Sequence, residues 1–282
     1  MRARAVLFVL GLTTAASVLP GAALAQNYVA QPQYYLLTTD AFDGRSLWVQ
    51  PAALARLKEA SISLMVTGDH LNGPLLLSQY GATLSSGGLG LGWQHDEDPT
   101  GPGHTDAFVV GFGFGGPTAS LGGDRRWHRG TNTKDAAWDF GGRYNPTGGL
   151  ELSLTWRDVG QPVVLGDTIF TTLVPGAAVQ LFGTRLRVGA DWEMVTKSWG
   201  TSAIRAGAQL ALPRELGLSF RAEFDGDFKT RTISASLSWH SATTRFTGFG
   251  ARARQGGADH VGLWGSAIAP QSMQPSGPRF GR

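Results

Sequence analysis

Leu150-Glu151-Leu152-Ser153-Leu154-Thr155-Trp156-Arg157 alternates strictly between large apolar and polar residues. A period of two residues is typical of a β-strand with one apolar and one polar face. The same alternation recurs in five further segments, which begin near residues 108, 186, 204, 216 and 233. The chain is therefore predicted to be all-β.

The polar face of these strands carries charges of both signs and almost no lysine. A soluble two-sheet sandwich also alternates, but its outer face would carry lysine and other surface charges. Arginines that alternate with carboxylates suit the crowded lumen of a closed barrel better than open water. The predicted lumen-lining charges are Arg143, Arg157, Arg187, Asp191, Glu193, Arg205, Arg221 and Glu223.

Beyond residue 25, no apolar run reaches the roughly 20 residues that a membrane-spanning helix needs. A closed β-barrel is the only other structure that satisfies its backbone polar groups in lipid. Outer-membrane barrels alternate long extracellular loops with short periplasmic turns, and this chain alternates in the same way. Seven longer and six shorter connections predict a transmembrane antiparallel barrel of about fourteen strands within residues 60–269. The longer ones are predicted at 70–73, 95–104, 125–134, 160–169, 195–202, 225–228 and 254–258.

Aromatic residues are expected near both edges of the apolar band, as in the aromatic girdles of membrane barrels. The strand and loop order predicts an outer girdle of Trp93, Trp138, Trp156 and Trp192, and an inner girdle of Tyr144, Phe182 and Trp239.

Residues 1–25 have the three parts of a secretory signal peptide: two arginines, an apolar run and the small-residue site Ala23-Leu24-Ala25. The apolar run is too short for a retained spanning helix, so cleavage is predicted before Gln26. Loss of Arg2 and Arg4 leaves 22 basic against 21 acidic residues, which gives no sign of nucleic-acid binding. The absence of cysteine excludes a disulfide scaffold. The predicted location is the outer membrane of a Gram-negative bacterium.

The two ends of the mature chain do not alternate. Residues 26–59 include the short amphipathic stretch 50–57 and are expected to plug or cap the periplasmic mouth of the barrel. Residues 270–282 contain three prolines and are predicted to be disordered.

The stretch Gln50-Pro51-Ala52-Ala53-Leu54-Ala55 resembles the Asn-Pro-Ala-Gly/Ala-Leu-Ala plug motif of the FadL and PorV-like outer-membrane barrels, with Gln50 in place of the expected Asn. Residues 154–162 resemble the strand end of the PorV-like group. The resemblance implies a plug built on Gln50, Pro51 and Leu54. It also implies either transport of hydrophobic substrates, as in FadL-type barrels, or docking of secreted proteins, as in PorV-like ones. Similar barrels also precede signal-peptide-peptidase domains.

Two motifs could suggest other chemistry. Residues 111–116 fit G-x-G-x-x-G, but Pro117 and another alternating segment follow where a dinucleotide site needs a helix. Residues 95–98, with His104 and Asp106, could ligate a divalent cation, although solvated loop charge is the preferred interpretation. No hydrolase or zinc-protease motif occurs. We therefore expect no enzyme activity, no cofactor and no metal.

Two functional hypotheses remain open. The first is passive transport of small hydrophobic or amphipathic molecules, with residues 26–59 as a gate. The second is a non-transporting barrel that anchors or docks a secreted or periplasmic protein. The lumen charges could form a substrate path or only a structural network. Under either hypothesis the expected partners include membrane lipid and the barrel-assembly machinery.

Overall fold

A computed structural model describes residues 35–70, 75–98, 102–254 and 259–269. The predicted signal peptide (1–25), residues 26–34 and the tail 270–282, which is predicted to be disordered, lie outside these ranges. The described strands are β1 (Ser61–His70), β2 (Leu76–Ser86), β3 (Leu89–Glu97), β4 (His104–Gly115), β5 (Ala119–Gly130), β6 (Ala136–Thr147), β7 (Leu150–Val159), β8 (Val163–Val164), β9 (Asp167–Thr168), β10 (Thr172–Leu181), β11 (Leu186–Val195), β12 (Gly200–Leu212), β13 (Leu216–Phe224), β14 (Thr230–His240), β15 (Thr244–Ala253) and β16 (Asp259–Ile268).

Fourteen of these strands form one closed antiparallel barrel, and β8 and β9 form a small separate hairpin. The barrel closes where β1 pairs with β16, with Ser61 opposite Ile268 and His70 opposite Asp259. The sheet closes on itself, so its inner face does not need the second sheet of a sandwich. The predicted all-β barrel of about fourteen strands is confirmed.

The outer face of the barrel is apolar. On β7, the side chains of Leu152, Leu154 and Trp156 are 38%, 48% and 45% exposed, whereas Glu151 and Thr155 between them are buried. The same distribution on the other strands gives a continuous apolar wall, which is the surface that lipid contact requires. A shift of the strand register by one residue would turn the inner charges toward lipid. Each arginine at mid-bilayer would then lower the stability of the barrel by ~2–4 kcal/mol, so the register is strongly specified.

Strands extend further toward the long loops than the sequence pattern predicts. Strand β5 continues to Gly130 and β3 to Glu97, so the loops are 131–135 and 98–103 rather than 125–134 and 95–104. These polar extensions stay in the sheet because they pair with β4, where Asp106 lies opposite both Arg129 and His95. Polarity of sequence alone was therefore a poor guide to where these strands end.

The N-terminal segment 35–59 lies inside the barrel and is here called the plug. It contains helix α1 (Ser46–Val49) and a 3-10 helix (Pro51–Arg56), in which Pro51 occupies the first turn, where no amide donor is needed. Leu47 and Leu54 are fully buried. Gly88, in the short turn between β2 and β3, donates its N–H to the carbonyl of Leu57 at 3.2 Å, which places the end of the plug near the periplasmic turns.

Among the described residues, no helix has the length and hydropathy needed to cross a membrane.

Candidate functional site: the plugged lumen

The plug rests on wall glycines that face the lumen. A Cβ atom at Gly111 would lie 2.5 Å from Leu47 Cδ1, and one at Gly113 would lie 2.5 Å from the backbone nitrogen of Ala55. Such distances are too short for any side chain, so glycine is what lets the plug approach the wall this closely. Gly111 and Gly113, the first two glycines of the G-x-G-x-x-G pattern, therefore make room for the plug, with Phe112 and Phe114 on the outer face.

Gln50 links the plug to the backbone of two strands. Its side chain is fully buried, and its Nε2 donates to the carbonyls of Gly142 at 3.3 Å and Leu154 at 3.2 Å. Its Oε1 accepts the N–H of Ala52 at 3.4 Å, which caps the 3-10 helix. The buried amide thus satisfies both its donor and its acceptor.

Three of the predicted lumen charges hold the segment 38–41 of the plug. Arg143 donates to the carbonyls of Ala41 at 2.7 Å and Thr39 at 2.8 Å. Arg187 forms an ion pair with Asp40 at 2.9 Å. Asp191 accepts the backbone N–H of Thr38 at 2.8 Å and its hydroxyl at 2.7 Å. These hydrogen bonds are charge-assisted and buried, which is the strong class of hydrogen bond.

Glu151 is the centre of this region, although the sequence analysis did not select it. Its carboxylate accepts from Arg143, from Arg187 at 3.0 Å and from Arg56 of the plug at 3.5 Å. One buried carboxylate therefore forms ion pairs with three arginines, two of which lie on strands β6 and β11 and one on the plug. Glu151 could have been selected from the sequence, because it lies on the polar face of the alternating stretch 150–157.

The remaining predicted charges form a chain across the neighbouring wall. Arg205 donates to Glu193 and to Glu223, at 2.7 Å in each case. Arg157 and Arg221 flank the chain, 3.6 Å from Glu193 and 3.8 Å from Glu223 respectively. Both also donate to the plug, Arg157 to the carbonyl of Val49 at 2.9 Å and Arg221 to that of Leu36 at 2.5 Å.

All eight predicted lumen charges thus lie on the inner face, and five of them contact the plug directly. Gln50, Pro51 and Leu54 are buried within the plug. The structure brings these two predicted sets together at a single interface.

An aromatic cluster on the opposite wall was missed by the sequence analysis. Tyr35 of the plug stacks on Phe249 with ring centres 4.2 Å apart. Arg45 lies over Trp264 at 4.2 Å and forms an ion pair with Asp43 at 2.6 Å. Phe249 and Trp264 are buried on the inner face, where the other strands carry mostly polar groups, so alternation gave no indication of them.

The two plug carboxylates differ in their electrostatics. Burial raises the pKa of Asp40, and the Arg187 guanidinium offsets this only in part. Burial also disfavours ionisation of Asp43, but the charge and hydrogen bonds of Arg45 outweigh it and hold the pKa of Asp43 below its usual range. Asp43 therefore contributes to plug seating as an anion.

A cavity of about 260 Å³ lies at the periplasmic end, between the plug and strands β1, β15 and β16. Phe42 and Arg56 contribute from the plug, and Ser61, Arg245 and Ser266 from the wall. Arg245 also donates to the carbonyl of Phe42 at 3.3 Å. This cavity is a vestibule that the seated plug separates from the rest of the lumen.

The acidic stretch 95–98 belongs to the extracellular end of β3 and the start of the following loop. His95 lies 3.0 Å from Asp106 and 3.2 Å from Glu97, and its ring stacks on that of His104. Within the ranges that the structure describes, no group of three or more histidine or carboxylate side chains is arranged to hold a metal ion.

Neither a protein-family model nor a curated sequence matches this chain. Its fold, however, matches solved barrels. The CymD monoaromatic hydrocarbon channel aligns with a TM-score of 0.56 and 10% identity, over 81% of this chain and 93% of that protein. The toluene transporter TodX of Pseudomonas putida aligns with a TM-score of 0.53 and 11% identity, over 83% and 94%. The toluene transporter TbuX of Ralstonia pickettii aligns with a TM-score of 0.52 and 12% identity, over 80% and 92%.

At these identities the likeness is one of fold. The resemblance of the plug motif to FadL-type barrels stays a prediction. The chain thus has the closed-barrel fold of these hydrocarbon channels, with its own N-terminal segment seated in the lumen.

Proposed function

We propose that this protein is a passive channel of the Gram-negative outer membrane for small hydrophobic or amphipathic molecules, and that residues 26–59 act as its gate. The observation that carries the proposal is the plug itself. It occupies the lumen, and apart from its covalent continuation into β1 it is held to the wall by non-covalent contacts. A segment held in this way can move aside without any change in the pairing of the barrel strands.

The contacts between plug and wall suit a gate. Its polar contacts are hydrogen bonds and ion pairs to single side chains such as Arg143, Arg187 and Asp191, which water can replace. Its apolar contacts lie partly against wall glycines, whose backbone adds little buried side-chain area, and partly against Ala107, Val109 and Phe249. The wall is closed by fourteen paired strands and does not depend on the plug for its backbone hydrogen bonds.

The aromatic cluster supports the proposed substrate class. Phe249 and Trp264 present ring faces to the lumen, and Tyr35 of the plug stacks on the first of them. Aromatic pairs of this kind add ~0.5–1.5 kcal/mol beyond the burial of apolar area. An aromatic solute in the lumen would meet a surface that already accommodates a phenol ring. The structural likeness to channels described as carrying toluene and other monoaromatic hydrocarbons points to the same class.

Uptake by proteoliposomes tests the proposal. The mature chain is reconstituted and offered labelled benzenesulfonate, an aromatic amphiphile whose charge slows its passage through bare lipid, with labelled arabinose as the polar control. We expect the aromatic solute to enter faster than arabinose, and deletion of residues 26–59 to raise the rates of both. Matched liposomes without protein supply the baseline.

Absence of uptake above the baseline, even after the deletion and with the barrel shown to be folded, would contradict the channel. If a stoichiometric protein partner were also recovered by cross-linking in intact cells, the docking role would replace it. Interaction with the barrel-assembly machinery is part of the proposal, because an outer-membrane barrel must be inserted after export.

A further inference from the structure

The outer face of β5 carries an arginine held between two tryptophans. Leu121, Gly123, Arg125, Trp127 and Arg129 share this face, because side chains alternate along a strand. The Arg125 guanidinium carbon lies 5.2 Å from the ring centre of Trp127 and 5.4 Å from that of Trp138 on β6, which lies directly opposite Arg125 in the sheet. Arg125, Trp127 and Trp138 are here called the clamp.

The clamp lies toward the extracellular end of the wall. Strand β5 starts at a short turn and ends at Gly130, before the loop 131–135. Apolar residues of the neighbouring strand flank it, since Val110 lies opposite Arg125 and Phe108 opposite Trp127, and both are exposed on the outer face. The arginine therefore stands at the boundary between the apolar wall and the polar loop region.

The Arg125 side chain is exposed, and its guanidinium makes no hydrogen bond or ion pair with any residue that the structure describes. The two rings contact the guanidinium without using its N–H groups, which stay free to donate. A planar guanidinium with free donors fits two oxygens of a phosphate.

Arg129 lies on the same face, four residues further toward the loop, or about 13 Å along the strand. Asp106 lies opposite it in the sheet but does not approach within ion-pair distance. The Asp106 carboxylate instead accepts the indole N–H of Trp93 at 3.0 Å and contacts His95 at 3.0 Å. The Asp106 carboxylate thus forms no ion pair with Arg125 or Arg129.

We propose that the clamp and Arg129 form a binding site for the phosphate of an outer-leaflet lipid headgroup. A phosphate-bearing lipid is the occupant that matches both parts of the surface. Its acyl chains would cover Val110 and Phe108, while its phosphate would accept from Arg125. This inference depends on the barrel lying in an outer membrane, and it is independent of whether the lumen transports anything.

The test uses the mature chain in a zwitterionic detergent, with lipid A as the probe. The temperature midpoint of unfolding is followed by the mobility shift between folded and unfolded barrel on gels and by near-ultraviolet circular dichroism. Diphosphoryl lipid A, dephosphorylated lipid A and inorganic phosphate are titrated in parallel. A ligand at free concentration c that binds only the folded barrel stabilises it by RT ln(1 + c/Kd), so the midpoint rises with the logarithm of ligand concentration once the concentration exceeds Kd.

We expect diphosphoryl lipid A to raise the midpoint progressively with concentration, and the other two probes to have little effect. Arg125→Gln should raise about tenfold the lipid A concentration that produces a given rise in midpoint. Arg252→Gln is the matched control, because Arg252 is also an outward arginine near the extracellular end, lies 4.0 Å from Asp259 and has no clamp. It should behave as the wild type.

An equal rise in midpoint at each lipid A concentration for Arg125→Gln and the wild type would overturn the proposal, as would equal protection by dephosphorylated lipid A or by inorganic phosphate. If Arg125→Gln does not fold, Trp138→Leu decides, because it keeps the charge and the apolar surface but removes one ring. We expect Trp138→Leu to need a several-fold higher lipid A concentration for the same rise in midpoint. An unchanged rise would overturn the proposal.

Discussion

Arg143→Ala should unseat the plug without opening the barrel wall. The guanidinium donates at 2.7 Å and 2.8 Å to two buried carbonyls of the plug, those of Ala41 and Thr39. Hydrogen bonds to charged groups contribute ~1.5–3 kcal/mol each. The Glu151 carboxylate would keep Arg187 at 3.0 Å and Arg56 at 3.5 Å, so the substitution does not leave it unpaired.

We therefore expect the variant to lose about 3 kcal/mol of the free energy that seats the plug, which is the lower figure of ~1.5 kcal/mol for each of the two hydrogen bonds. This corresponds to an increase of roughly 10² in the ratio of displaced to seated plug. Single-channel recording in planar bilayers measures the ratio as open probability. Arg252→Ala is the control, since its side chain is 84% exposed and lies on the outer face of the wall, away from the plug on the inner face. An unchanged open probability in a folded Arg143→Ala barrel would refute the reasoning, and so would an equal rise in the control.

Three further predictions concern the wall and the plug. Gly111→Val should lower the free energy of unfolding by ~1–3 kcal/mol in urea titrations of the reconstituted barrel, because its Cβ would meet Leu47 at 2.5 Å. Gly116→Ala, which has open space around it, should change that free energy by no more than about 0.5 kcal/mol. Phe220→Arg should lower the free energy of unfolding by about 2–4 kcal/mol in the same assay, because this outward side chain faces lipid in the middle of its strand. An unchanged free energy of unfolding would contradict the outward orientation of Phe220. Acidification should unseat the plug through Asp43, because the pKa of Asp43 is lowered while the plug is seated. The Asp43 carboxylate stabilises the seated plug fully above the unfolded pKa of about 4, and this stabilisation is lost as pH falls through the lower seated pKa. Open probability should therefore rise below about pH 4, and Asp43→Asn should lack this component of the pH profile.

The sequence by itself determined the strands and the direction in which their side chains point. Alternation in 150–157 and its repeats is a local property with a period of two, so it can be read without knowledge of the partner strand. It placed Arg143, Arg187 and Glu223 on the face opposite the leucines and tryptophans, and the structure has them on the inner face. The plug motif at 50–55 was likewise readable as a short local pattern.

Only the tertiary structure decided which atoms meet in the lumen. Arg143 and Ala41 are 102 residues apart in sequence, and Arg221 and Leu36 are 185 apart, so no local pattern relates them. The plug crosses the lumen from β15, where Tyr35 stacks on Phe249, to β6 and β7, where Gln50 binds. Barrel closure brings these strands around one segment, because each strand can bury its polar face only when the whole sheet curls around something that fills it.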